Sequence, residues 1–149
     1  MTISINRTLV KGEITEGLLT IDGKHLCSTL ENTYSRLDPG EYHITLVKCK
    51  HYSRKMICVV HNPPSANEMK EKCESCVMTG EAYSNTLLPK PCPMLKIGNG
   101  VHNRHDGSIL VGTRGCRGMI VRPKDAFDPL YERIRKNIER GNDIVLKVF

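Results

Sequence analysis

Between Gly98 and Cys116 the sequence GNGVHNRHDGSILVGTRGC sets two histidines, an aspartate, a serine and a cysteine among five glycines. These are residue types from which a nucleophilic site can be built. An imidazole can deprotonate a thiol or hydroxyl, and backbone N–H groups exposed by a glycine turn can hold an oxyanion. The candidates are Cys116 and Ser108 as nucleophiles, His105 and His102 as bases, and Asp106 as the carboxylate beside them. The same composition also suits a polar turn joining two strands, and a lone cysteine is more often a small core side chain than a nucleophile. His102 and His105 stand three apart, close enough in sequence to share a metal, with Asp106 the one carboxylate nearby.

The chain holds seven cysteines. An odd number without a signal peptide argues against a disulfide scaffold and turns attention to metal ligation or reactivity. Cys73 and Cys76 have the C-x-x-C spacing that lets two sulfurs converge on one tetrahedral zinc around a tight turn. Cys92 follows, and Cys49 and Cys58 flank the strand region before it. A structural zinc on Cys73, Cys76, Cys92 and one of Cys49 or Cys58 is one expectation. Small buried or surface thiols are another, and a Cys73/Cys76 redox pair is a third, although no thioredoxin-like βαβ pattern surrounds it.

The elements that must position these residues are mostly strands. In LLTIDGKHLCSTLE, Asp22-Gly23 separates two alternating runs, a strong hairpin signal. Before it, ISINRTLV reads as a strand continued by GEITEGLLTI. After it, LDPGEYHITLVKC supplies a Pro-Gly turn and a strand with Tyr42, Ile44 and Leu46 on one face, and KMICVVH reads as a buried strand. This is a meander of four or five strands. From Asn62 to Lys96 five prolines and three cysteines interrupt any periodicity, which marks a cysteine-rich insertion at about 62–96, with one or two helical turns allowed in SANEMKEKCESC. Strand character returns at GSILVG and GMIVR. Then Phe127, Leu130, Ile134 and Ile138 recur at helical steps in KDAFDPLYERIRKNIERGN, with Asp125 or Asp128 available as the N-cap, Pro129 in the first turn, and Gly141-Asn142 at the end. DIVLKVF closes the chain as a last strand. The expected architecture is α+β: a β-rich single domain over residues 1–149 with one long C-terminal helix and a final strand.

A chain of 149 residues suits one domain, and 39% hydrophobic and 26% charged residues exclude global disorder. With no tryptophan and two phenylalanines, the core must rest on Leu, Ile and Val. No apolar run is long enough to span a membrane. The N-terminus alternates and is broken by charge, unlike a signal peptide. The cytosol is the default location; injection or release by lysis would leave the same sequence. The net charge of +6 is a weak pointer to nucleic acid. Its dense part, KCKHYSRK, carries Lys48, Lys50, Arg54 and Lys55 with no acid, and suits phosphate, an anionic cell-wall polymer or solvent; it lacks the interleaved aromatics of a base-stacking platform.

EGLLTIDGKHLCSTLEN, DPGEYHITL, DGSILVG and DAFDPLYERIRK, in that order, resemble an uncharacterised bacterial and phage domain family, over nearly the whole chain outside the cysteine-rich insertion. That family is similar, more distantly, to the L,D-transpeptidase fold, whose members carry a histidine and a Ser/Thr-x-Gly-Cys motif with cysteine as acyl nucleophile on cell-wall peptides. In one register HDGSILVGTRGC matches that pattern, with His105 eleven residues before Cys116. In the other, the family's Gly-Cys-Ile falls on Gly107-Ser108-Ile109, and its histidine on Ile97. The resemblance implies an L,D-transpeptidase-like core and a cysteine-dependent enzyme of peptidoglycan peptides, as transpeptidase or peptidase. The alternative is a non-catalytic, zinc-stabilised binding module that kept the fold and lost the nucleophile. Weak nucleic-acid binding through Lys48 to Lys55 is the third.

Overall fold

The computed structural model describes residues 1–49, 52–62, 89, 90, 92–98, 100, 101 and 106–149. The helical turns expected in SANEMKEKCESC lie outside them. Nine strands are described: β1 (Thr2–Lys11), β2 (Ile14–Ile21), β3 (Lys24–Asn32), β4 (Gly40–Lys48), β5 (Lys55–Val60), β6 (Met94–Lys96), β7 (Ile109–Arg114), β8 (Ile120–Val121) and β9 (Val145–Val148). One helix, α1 (Pro123–Glu139), stands between β8 and β9.

The strands run in the order β3-β2-β1-β9-β4-β5-β6-β7, and β7 pairs back onto β3, so eight strands close a barrel. The short β8 hangs on β7 as an antiparallel partner. The fold is thus α+β and β-rich, with the helix near the C-terminus and a final strand. Two of the joins are parallel, β1 with β9 and β6 with β7. ISINRTLV and GEITEGLLTI are two strands rather than one, because the chain reverses after Lys11 and pairs β1 with β2. The next reversal is the Asp22-Gly23 turn, where both residues take positive φ, 49° and 83°. That geometry suits a two-residue hairpin and favours glycine at its second position.

Side chains alternate across a strand, so one set from each strand fills the barrel. Ile3 and Ile5, Leu19 and Ile21, Ile57 and Val59, Ile109 and Val111, and Leu146 and Val148 meet in one cluster with Leu95 and Ile44. An eight-stranded barrel is about wide enough for side chains alone to fill it. Phe127, Leu130 and Ile134 of α1 join the same cluster, which gives the helix its place against the barrel. Outside the barrel wall, Val47, Met56, Cys58, Val60 and Met94 form a second buried cluster, and Leu30, Val101, Leu110 and Ile120 a third. Burial on both faces explains why MICVV and ILV read as unbroken apolar runs.

Three expectations need correction. The end of the expected insertion, Met94 to Lys96, is strand β6, which joins β5 to β7 and completes the barrel wall. Three residues among prolines are too few to show a period. Neither Asp125 nor Asp128 caps the helix. It starts earlier, with Pro123 in its first turn, after Arg122 at φ 50°, ψ 49° with no side-chain cap bond. Proline's fixed φ suits that first turn. Pro129 consequently lies inside the helix rather than in its first turn. The C-terminus ends as expected, with Gly141 at φ 77°. Its N–H donates to Ile138 O at 2.9 Å and that of Asn142 to Asn137 O at 3.0 Å, the double bond of a Schellman motif.

Candidate functional site

The two candidate nucleophiles occupy different places. Ser108 immediately precedes β7 and is 3% exposed. Its hydroxyl accepts the Met94 N–H at 3.3 Å and donates to Cys92 O at 3.4 Å. The oxygen therefore ties the start of β7 to the chain entering β6. The Ser108 N–H donates to Asp106 Oδ1 at 3.0 Å, and Lys96 Nζ donates to the other carboxylate oxygen at 3.0 Å. Burial pushes the Asp106 carboxyl up, but the Lys96 charge and the bonds from Ser108 and Lys96 outweigh it and hold the carboxyl below its ordinary value. Asp106 is the partner of a buried lysine.

Cys116 sits in the tight turn between β7 and β8. The Gly115 N–H donates to Met119 O at 3.2 Å and the Met119 N–H to Cys116 O at 3.0 Å. The thiol is exposed, with its sulfur 3.3 Å from Met119 Sδ. Glu16 of β2, 6% exposed, holds both sides of this turn. Its carboxylate accepts Arg114 Nε at 2.8 Å and the Gly118 N–H at 3.1 Å. His102 and His105 lie outside the described residues, as does any contact they make with Cys116.

The metal candidates divide similarly. Cys73 and Cys76 lie outside the described residues. Cys49 and Cys58 are buried and Cys92 half-buried, and all three belong to the outer cluster formed with Val47, Met56, Val60 and Met94. Among the described residues, no group of three or more His, Cys, Asp or Glu is placed to hold a metal ion.

Of the basic cluster, Lys50 lies outside the described residues. Lys48 and Lys55 face each other across the β4–β5 ladder, and both are exposed. Lys48 Nζ donates to Tyr52 O at 3.4 Å and to Ser53 O at 3.0 Å, which closes the loop between these strands. Arg54 lays its guanidinium over the rings of Phe127, 4.9 Å from the centroid, and Tyr131, 4.7 Å away. Tyr131 donates its hydroxyl to Lys55 O at 3.0 Å. The cluster is thus partly a brace between the β4–β5 loop and α1.

Several ionised groups escaped the sequence reading. Lys96 fell within the expected loop. Glu16, Arg7 and Glu31 look like solvent-facing charges in alternating strands. Arg7 instead makes a two-pronged pair with Glu31, at 3.0 and 2.8 Å, with side-chain exposures of 7% and 0%. It also donates to Leu37 O at 2.6 Å. The one signal available was the interruption of apolar alternation by charge in both strands.

Cys27 of β3 was not a site candidate. It belongs to the barrel core, and burial pushes its thiol up to about 11 against a smaller downward pull from its hydrogen bond with the Gly112 backbone. An unfolded thiol ionises near 9.0, whereas the folded one keeps its proton to about 11. Between these values the unfolded chain binds fewer protons, so stability falls as pH rises. The expected loss is up to about 2.5 kcal/mol. Urea unfolding across this range should show a shallower decline in Cys27→Ala than in the unmodified chain. Equal slopes would contradict a buried, protonated thiol.

Compared with models of known protein families, with curated proteins and with solved structures, the chain matches none. Among the described residues, no helix is long and apolar enough to cross a membrane.

Proposed function

We propose that the chain is a non-catalytic binding module for peptides of the bacterial cell wall. The observation that carries the reading is that one of the two candidate nucleophiles is spent: Ser108 is 3% exposed, and its hydroxyl is used between β6 and β7. A nucleophile needs an oxygen open to substrate. The filled barrel interior leaves binding to the outer surface, and the net charge of +6 favours anionic polymers. The ligand class rests on the resemblance to enzymes of cell-wall peptides.

One observation favours a second reading, acyl transfer by Cys116 with His105 as base and His102 as the other histidine candidate: Cys116 is the exposed thiol among the described cysteines. The two readings separate in one set of assays. As a binding module, the chain co-sediments with isolated peptidoglycan and releases no product from stem peptides. Cys116 then reacts with a thiol-directed probe at the ordinary rate of an exposed cysteine, unchanged in His105→Ala. Turnover abolished by Cys116→Ala, with probe labelling slowed by His105→Ala, overturns the binding module and establishes the enzyme.

A structural zinc belongs to the same proposal, held by Cys73, Cys76, Cys92 and one of Cys49 or Cys58. The support is the C-x-x-C spacing of Cys73 and Cys76 and the packing of Cys92 against the outer cluster that holds Cys49 and Cys58. Thiolate donors suit zinc, and its binding would add folding free energy to a proline-rich insertion. Protein purified under reducing conditions should carry about one zinc per chain. Metal-free protein of unchanged stability removes the zinc from the proposal.

A further inference from the structure

The loop between β4 and β5 folds against α1 and the end of β6, leaving a pocket of about 260 Å³. Met56, Ile97 and Phe127 give it an apolar lining, and Ser53 contributes to its polar rim. Its two charged lining residues are both cations, Arg54 and Lys96, and among the described residues no carboxylate lines it. The Lys96 side chain is 6% exposed, and one of its three ammonium donors goes to Asp106. The Arg54 guanidinium lies over the rings of Phe127 and Tyr131, and a guanidinium stacked on aromatic rings keeps N–H donors for a ligand. Asp106 offsets the Lys96 charge, so Arg54 supplies the net positive charge, with the remaining Lys96 donors beside it; a cation next to an apolar surface selects an anion that also has an apolar body.

We propose that this pocket binds a small organic monoanion: a carboxylate on a branched aliphatic or aromatic body. The carboxylate meets the Arg54 guanidinium and the Lys96 ammonium, and the body packs on Met56, Ile97 and Phe127. Its volume lies below the about 300–1,000 Å³ of pockets for drug-sized ligands, which sets the ligand at the size of a short acid or one chain-terminal residue. Neither Ser108 nor Cys116 lines this pocket, and the inference goes beyond the binding of cell-wall peptides and does not depend on it.

The test is a titration of the full, isotope-labelled chain followed by backbone amide shifts. The probes are 4-methylpentanoate, 4-methylpentanamide, N-acetyl-leucine and inorganic phosphate, at constant ionic strength and pH. The expected result is saturable binding of 4-methylpentanoate in the millimolar range, with shifts centred on Tyr52 to Met56, Ile97 and Phe127. The uncharged amide should bind about tenfold more weakly, and Arg54→Gln should weaken the acid by a similar factor. Phosphate, lacking the apolar body, should give no saturable shift at these residues. Binding of N-acetyl-leucine at least as tight as the free acid supports the pocket with a chain end as its ligand; weaker binding supports it with a free acid. Equal binding of acid and amide, saturable phosphate binding of equal strength, or shifts centred elsewhere would overturn the proposal. Because Arg54 also braces α1, the acid–amide comparison on the unmodified chain decides the matter even where Arg54→Gln is poorly folded.

Discussion

Glu31→Gln should destabilise the fold by about 3 kcal/mol, the low end of about 3–5 kcal/mol for removing one partner of a buried ion pair. The Glu31 side chain is fully buried and that of Arg7 is 7% exposed, so water can do little for the guanidinium once the carboxylate is gone. Gln keeps the shape and one acceptor oxygen, and Arg7 retains its bond to Leu37 O, which is why the expected loss is not larger. A purely apolar replacement sharpens the test. The double variant Arg7→Met, Glu31→Leu removes both charges together and should be more stable than Glu31→Gln, because neither charge is left uncompensated. Urea unfolding at neutral pH reads all three chains. A loss below about 1 kcal/mol in Glu31→Gln would place the pair in contact with water and contradict the buried geometry.

Phe127→Ala should destabilise by about 3–5 kcal/mol, the range for truncating a large aromatic side chain in a packed core. Phe127 is 1% exposed and meets the barrel interior together with Leu130 and Ile134. Part of the loss should appear locally, since Arg54 rests on the same ring. Amide exchange in Tyr52 to Lys55 should therefore quicken more than in β1 or β2. Phe127→Leu, which refills much of the volume, should recover more than half of the loss. Unaltered exchange in the loop, with stability close to that of the unmodified chain, would mean that α1 is not held by this side chain.

These expectations rest on contacts of very different sequence range, and that range governs how much could be read beforehand. The helix was legible because its signal is internal: Phe127, Leu130 and Ile134 mark one face, and Gly141 marks its end. Its start was misjudged because Asp125 and Asp128 outrank proline as caps by residue type, while Arg122 took the left-handed backbone before Pro123 instead. The candidate site was legible only as composition. Ser108 and Cys116 look equally available in a glycine-rich run, yet the hydroxyl is buried between strands and the thiol rides an exposed turn.

By itself the sequence determined the local elements: the Asp22-Gly23 hairpin, the inward face of β4, the buried strand β5, the amphipathic helix and the closing strand. Turn chemistry and side-chain period act over a few residues, so they are written in consecutive letters. Tertiary structure alone decided that β7 returns to β3, that β9 slides in parallel to β1, and that three residues ending a proline-rich stretch complete the wall. It also decided the charges. Arg114 and Glu16, 98 positions apart, become partners because barrel closure sets β7 beside β3 and so close to β2, and Arg7 and Glu31, 24 apart, because β1 and β3 flank β2. A charged residue in a strand has the same one-letter signature whether it faces water or a partner. Only the folded chain removes the water and makes the pair necessary.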